Sequence, residues 1–179
     1  MDISKKYNVI YADPPWSFKP YSDKGKGRSP EKHYSVMTFK DICNMPINKI
    51  ANDNSVLLIW VIDPLLDKAF EVINAWGFKY KTVAFTWAKT NKKSDRFFTG
   101  LGYLTRGNPE MCLLATKGKP KRLSKSVPQL IVEKRRDHRR KPDIMYNHIE
   151  NLLEGPYIEM FASQQRDGWD QYGNEVDKW

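Results

Sequence analysis

An aspartate followed by two prolines and a tryptophan, Asp13-Pro14-Pro15-Trp16, closes a short apolar run from Tyr7 to Ala12 (YNVIYA). These residue types in this order can act on an aromatic amine. The lone pair of such an amine, adenine N6 for example, is delocalised into the ring and attacks poorly. Acceptors around the nitrogen localise it: the Asp13 carboxylate takes one N–H, and the carbonyl of Pro14, aimed by a fixed φ, takes the other. The nitrogen then becomes more tetrahedral and can face an electrophilic methyl. Trp16 offers a flat surface on which a base drawn from its stack can rest. The bland alternative is a strand-terminating turn with a core tryptophan. A four-residue string of this kind directly after a buried-strand pattern favours the chemical reading.

The second feature is charge. The formal net charge is +9, and residues 117–141 hold 11 Lys or Arg against two acids, Glu133 and Asp137, while the rest of the chain balances 19 against 19. A basic block of this kind is either a solvated loop or a strip that neutralises phosphates by counterion release.

The elements that must position these groups follow from pattern. Tyr7 to Ala12 reads as a buried strand that puts Asp13 at its carboxyl end. Phe18 to Lys32, punctuated by Pro20, Gly25, Gly27 and Pro30, reads as a mobile loop. Thr38 and Asp41 have capping-box spacing for a short helix that Pro46 interrupts. Ser55 to Ile62 is apolar without alternation, as expected of a central strand. A helix follows, capped by Asp63 with Pro64 in its first turn; Leu65, Ala69, Val72, Ile73 and Trp76 share a face, and Gly77 fits its end. Thr82 to Ala88 completes a βαβ pattern, and Pro109 to Thr116 reads as another strand. The basic block is the one candidate for a long excursion. Pro142 opens a helix lined by Met145, Ile149, Leu152 and Leu153 and stopped by Gly155-Pro156. Tyr157 to Phe161 is the last strand, before a polar loop and the closing stretch from Trp169 to Val176. Alternating strands and helices predict a mostly parallel α/β sheet with ligands at its carboxyl edge.

Several function classes drop out. Cys43 and Cys112 are too few and too far apart for a disulfide framework or a zinc cluster. His33, His138 and His148 lack ligand spacing, so no metal is expected. Without an h-region at the start or an apolar run near the length of a membrane span, a soluble cytoplasmic protein with no membrane association is expected.

Matching blocks run nearly end to end: YNVIYADPPW from Tyr7, GYLTRGNPEMCLLAT from Gly102 to Thr116 with KGKPKRLSKS after it, RRDHRRKPD ending at Asp143, and EMFASQQRDGWDQYGNEV ending at Val176. In these blocks the chain resembles the MT-A70 family of adenine-N6 methyltransferases, particularly the short bacterial and phage members thought to act on DNA. At 179 residues the chain fits one compact domain, residues 1–179, whose α/β fold and activity the resemblance implies. That fold is Rossmann-like and S-adenosylmethionine-dependent, with helices flanking a mostly parallel sheet and the catalytic tetrad Asp13, Pro14, Pro15 and Trp16 ahead of the cofactor motif. The resemblance implies S-adenosylmethionine as methyl donor and S-adenosylhomocysteine as product, with no metal.

By the same resemblance Lys141 faces the cofactor's carboxylate, in keeping with its place at a helix start. Asp13, Glu159 and Phe161 border the cofactor, while Asn174 and Glu175 hold its adenosine. Ser163 stands where many relatives have arginine, so a ribose contact is either lost or supplied by Gln165 or Arg166. Tyr103 and Arg106 fall near the substrate, and Arg135, Arg136, Arg139 and Arg140 would touch nucleic acid. Methylation of DNA at adenine N6 is the expected function. Action on RNA, action on cytosine N4 and a non-catalytic nucleic-acid-binding scaffold are the rivals, and a homodimer or partner subunit would complete the DNA grip.

Overall fold

The computed structural model describes residues 2–16, 37–137 and 140–174. The expected loop from Phe18 to Lys32, His33, His138, Arg139 and Glu175 lie outside these residues.

Seven strands form one sheet: β1 (Tyr7–Ala12), β2 (Ala51–Val61), β3 (Lys79–Thr90), β4 (Glu110–Lys117), β5 (Leu130–Lys134), β6 (Tyr157–Met160) and β7 (Trp169–Tyr172). Their order across the sheet is β5-β3-β4-β2-β1-β6-β7. Every neighbouring pair is parallel except those made by β4, which runs antiparallel to both β2 and β3. The predicted β2-helix-β3 unit is therefore present, with β4 inserted between its two parallel strands. The inversion has a simple cause: residues 91–109 return the chain to the edge where β3 ends, and a strand that starts at that edge must run back.

β1 is central, flanked by β2 and β6, and its Val9, Ile10 and Ala12 have no exposed surface. One face of the sheet is covered by α1 (Phe39–Cys43), α2 (Ile47–Ile50) and α3 (Leu66–Ala75). Thr38 caps α1 as its spacing predicts, accepting from the Asp41 N–H. Asp63 does not cap the next helix. Residues Asp63–Leu65 form a 3-10 turn first and α3 starts without a side-chain cap, because Pro64 sits within that tighter turn. The predicted apolar face is present, with Ala69, Val72, Ile73 and Trp76 fully buried. Gly77 ends it with φ +81, a conformation glycine adopts without steric cost.

α4 (Ile144–Leu152) covers the other face through Met145, Tyr146 and Ile149. The basic block is not one excursion. Leu130 to Lys134 inside it pair with β3 as an edge strand whose Ile131 is buried. At the other edge β7 pairs with β6, giving the closing stretch a strand that its polar composition hides.

Candidate active site

Asp13 follows β1 where the ends of β2 and β6 flank it, since Ala12 registers with Ile59 on one side and Met160 on the other. This is the carboxyl edge at which ligands of parallel sheets sit. The turn after it is tight: the Trp16 N–H donates to the Pro14 carbonyl at 2.8 Å. A carbonyl has two lone pairs, so Pro14 can still receive a substrate N–H. Trp16 itself is 4% exposed and donates its indole N–H to the Trp60 carbonyl at 3.0 Å. It braces the turn from the core and, in this arrangement, is not an open stacking platform; an apolar indole within the core cluster gains more from burial than from exposure.

The ammonium of Lys141 lies 2.7 Å from Asp13 Oδ2 and 3.3 Å from Glu110 Oε2, and the other oxygen of Glu110 lies 2.7 Å from the Lys89 ammonium. The result is a ladder of alternating charge from β1 through the start of α4 to β4 and β3, resting on the Trp60 ring 5.3 Å from the Lys141 nitrogen. Burial alone would push Lys141 down, but Asp13 and Glu110 outweigh it and hold its pKa above the ordinary value. Burial likewise opposes ionisation of Glu110, yet Lys141 and Lys89 bring it down to about 2. Half-buried paired charges of this kind contribute little net stability against an apolar core, and they gather where a site needs fixed charge. Glu110 and Lys89 were not singled out from sequence; the one available signal was a lone carboxylate opening an apolar strand.

Tyr11, Asp13, Arg140, Lys141, Pro142, Tyr146, Glu159, Phe161, Ser163 and Gln164 line one cleft. The structure thus brings together Asp13, Lys141, Glu159 and Phe161, four of the residues that the family resemblance places around the cofactor. Glu159 accepts from the Tyr146 hydroxyl at 2.8 Å, and the Gln164 amide donates to the same hydroxyl at 2.9 Å. Burial raises Glu159 to about 7, only partly offset by the Tyr146 bond. Phe161 adopts φ +63, a left-handed conformation that costs a bulky residue energy. Its N–H and that of Ala162 both donate to the Tyr172 carbonyl. A Cβ on Gly173 would stand 2.4 Å from the Ala162 carbonyl oxygen, so only glycine permits this close corner.

Gln165 is not in this cleft. It lies in an outer hollow with Glu150, Tyr157 and Arg166, and Ser163 and Gln164 occupy the inner positions. Arg166 bonds Asn147 and Glu150 and packs over Tyr146, so its guanidinium is held on α4. Asn174 is exposed just past β7, on the same edge of the sheet.

The cationic candidates divide. Arg136 and Arg140 both pair with Asp143 at the foot of α4, at 2.9 and 3.4 Å. Arg135 is exposed and lies over the Phe98 ring at 4.6 Å, and Tyr103 and Arg106 are exposed on the excursion 91–109 that leaves from β3. These groups belong to the same carboxyl edge of the sheet as Asp13. Lys117 registers with Ser55, near the start of β2, so Lys117 and the cations that follow it, Lys119, Lys121 and Arg122, belong to the opposite end of the sheet. Among the described residues no group of three or more His, Cys, Asp or Glu could hold a metal ion, and no helix is long and apolar enough to cross a membrane.

A carboxylate-proline turn at the carboxyl edge of a mostly parallel sheet, with a lysine at the foot of a facing helix, is the layout of a Rossmann-like methyltransferase. The chain belongs to the MT-A70 family, which it matches over residues 7–175. It is 30% identical to Type II methyltransferase M.MunI of Mycoplasma sp over 190 residues, covering 96% of this chain and 78% of that one. It is 28% identical to the N(6)-adenosine-methyltransferase catalytic subunit METTL3 of Homo sapiens over 182 residues, covering 99% of this chain and 29% of that one. An MT-A70-like N(6)-adenosine-methyltransferase of Arabidopsis thaliana shows 28% identity, with 98% and 24% covered. The chain spans less than a third of these two N(6)-adenosine-methyltransferases.

Proposed function

We propose that the chain is a single-domain, S-adenosylmethionine-dependent methyltransferase that modifies adenine N6 in DNA. The observation that carries this reading is the meeting of Asp13, Lys141 and Glu159 in one cleft at the carboxyl edge of the sheet. The charges there suit the methyl donor, whose amino-acid end carries a carboxylate and an ammonium beside a sulfonium: Lys141 faces the anionic group, Asp13 and Glu159 face the cationic ones, and Phe161 packs beside them. Asn174 and Glu175 hold the adenosine, with Gln164 in the role expected of Gln165. Bound there, the donor supplies an electrophilic methyl.

This chain's residues do the rest. Lys141 occupies Oδ2 of Asp13, which leaves Oδ1 to accept one N–H of the adenine amine while the Pro14 carbonyl accepts the other. Pro15 fixes the turn, and Trp16 holds it against the core. The nitrogen lone pair is thereby turned toward the methyl, and the surplus proton leaves to water or through Asp13. Positioning and lone-pair localisation do most of the catalysis. Arg106, Arg135, Arg136 and Arg140, with Tyr103, grip the polymer beside the cleft; Arg139, outside the described residues, is given the same role from its sequence, and a second copy or a partner subunit completes the grip. Light scattering with and without DNA tests that assembly; a monomer in both would refute it.

A second reading, RNA as substrate, is favoured by the N(6)-adenosine-methyltransferases among the similar proteins. Transfer of labelled methyl to unmethylated DNA and to RNA, with nucleoside analysis and an Asp13→Ala control, separates the two. N6-methyladenine in DNA made only by the unsubstituted protein is expected. Product in RNA alone would move the assignment to RNA, N4-methylcytosine would overturn the assignment to adenine, and no product from a folded protein would leave a non-catalytic scaffold.

A further inference from the structure

The excursion 91–109 carries its apolar residues outward: Phe97, Leu101, Tyr103 and Leu104 are 64%, 63%, 76% and 91% exposed. Water around a leucine that open is unfavourable, so a role in binding is expected of it. The projection is built to hold its shape. A Cβ on Gly102 would stand 2.2 Å from the Thr105 carbonyl oxygen, so residues 102–105 close on themselves and lift Tyr103 and Leu104 to the tip. At the neck Gly100 donates to the Gly107 carbonyl at 2.7 Å. The Asn108 side chain accepts from the Lys89 N–H and donates to the carbonyls of Lys89 and Phe98. Lys89 is also the outer rung of the charge ladder that ends on Asp13. The neck is thus tied to Lys89, which also reaches the Asp13 carboxylate through Glu110 and Lys141.

Its surroundings decide what it meets. The excursion holds Lys92, Lys93, Arg96 and Arg106 against a single acid, Asp95, and Arg135 lies over Phe98 at its base. The fully buried centre of a protein–protein interface is depleted of charge. A duplex instead presents phosphates outside and an apolar stack within, the arrangement that an apolar wedge flanked by cations fits.

We propose that Leu104 is a wedge that enters the duplex stack in the space left when the target adenine swings out to Asp13. This rests on the reading that the substrate is a base within a nucleic acid, and it makes paired duplex the form in which Leu104 matters. Filling the vacated space offsets the lost stacking and keeps the base from falling back.

The test measures kcat/KM of the unsubstituted protein, Leu104→Ser and Leu104→Met on three oligonucleotides with one target: paired duplex, the duplex with an abasic site opposite the target, and single strand. For Leu104→Ser the ratio of paired-duplex to single-strand kcat/KM falls by at least about tenfold and recovers on the abasic duplex, while Leu104→Met stays within about threefold of the unsubstituted ratio. A proportional loss on all three substrates, or no loss on paired duplex, would overturn the proposal. So would a dimer that Leu104→Ser dissociates, which would assign the tip to a second copy. If the unsubstituted protein methylates none of the three, the proposed function fails. The wedge is then read from 2-aminopurine fluorescence at the target, which rises with the unsubstituted protein and not with Leu104→Ser if the wedge stands; equal responses overturn it.

Discussion

Glu159 is half-buried in the candidate cofactor cleft with a hydrogen-bond donor, Tyr146, and no cation within salt-bridge distance among the described residues. Replacing it with glutamine keeps the shape and the acceptor for Tyr146 and removes the charge. The native carboxyl is raised from 4.5 to about 7, mainly by burial. At 1.36 kcal/mol per unit this amounts to about 3 kcal/mol. The folded protein keeps the proton where the unfolded chain has lost it. The contribution is therefore intact below pH 4.5, declines as pH rises through the window to about 7, and is fully lost above it. Glutamine does not titrate. The stability difference between Glu159→Gln and the unsubstituted protein therefore grows in favour of the variant from pH 4.5 to pH 8, by up to about 3 kcal/mol, or about 8 °C in Tm for a chain of this size. Urea unfolding of both proteins at pH 4.5, 6 and 8 reads it, the other carboxyls cancelling in the difference. A difference independent of pH, or one that shrinks with rising pH, would refute the reasoning, because Glu159 would then be ionised throughout.

The same group links the cleft to its ligand. A cation seated beside Glu159 favours the ionised form, so S-adenosylmethionine binding at pH 6 should release up to about one proton. Calorimetry in two buffers of different ionisation enthalpy should show that release for the unsubstituted protein and none for Glu159→Gln. Equal release by both would place the cationic groups of the ligand elsewhere.

Glu110→Gln removes the anion shared by Lys89 and Lys141 and should cost about 3–5 kcal/mol at pH 7 by urea unfolding. Because Glu110 is lowered to about 2, its contribution is present above pH 4.5 and disappears as pH falls toward 2, so the penalty should fade over that window. Replacing Arg106 and Arg135 with glutamine should weaken DNA binding and reduce the slope of log K against log salt by about 0.9 for each phosphate left without its cation. The triple change Lys119→Gln, Lys121→Gln and Arg122→Gln, at the far end of the sheet, should leave that slope unchanged. Gly173→Ala forces the Ala162 backbone corner to move and should weaken cofactor binding at least about tenfold while lowering stability by about 1–3 kcal/mol, as read by calorimetry and urea titration together.

Local features were legible in the sequence because local physics sets them. The run ending at Asp13, the Thr38 cap, the apolar face of α3 and the stop at Gly77 each follow from neighbours within a few residues. The direction of β4 was not, since an apolar strand of eight residues reads the same in either orientation and the path of residues 91–109 decides it. β5 was hidden by charge, its single buried Ile131 too little to mark a strand within a basic block. Gln164 and Gln165 are adjacent and chemically identical, and only the left-handed turn at Phe161 sends one inward and the other out.

The site shows the same division more sharply. The family resemblance assigns Lys141 to the carboxylate of the cofactor, and the structure has it 2.7 Å from an aspartate 128 residues away and 3.3 Å from Glu110. These pairings follow from strand order: β1 and β6 end at the carboxyl edge, β4 begins there, and the start of α4 faces them. A lysine held between two carboxylates is a fixed positive charge whose position depends on both. Loss of Glu110 would therefore leave Lys141 to Asp13 alone, tighten that pair and draw the carboxylate away from the amine that the proposed function has it orient. Glu110→Gln is for that reason expected to lower kcat at saturating cofactor as well as stability. A variant with reduced stability and undiminished kcat would show that the ladder holds the fold but not the reactive carboxylate.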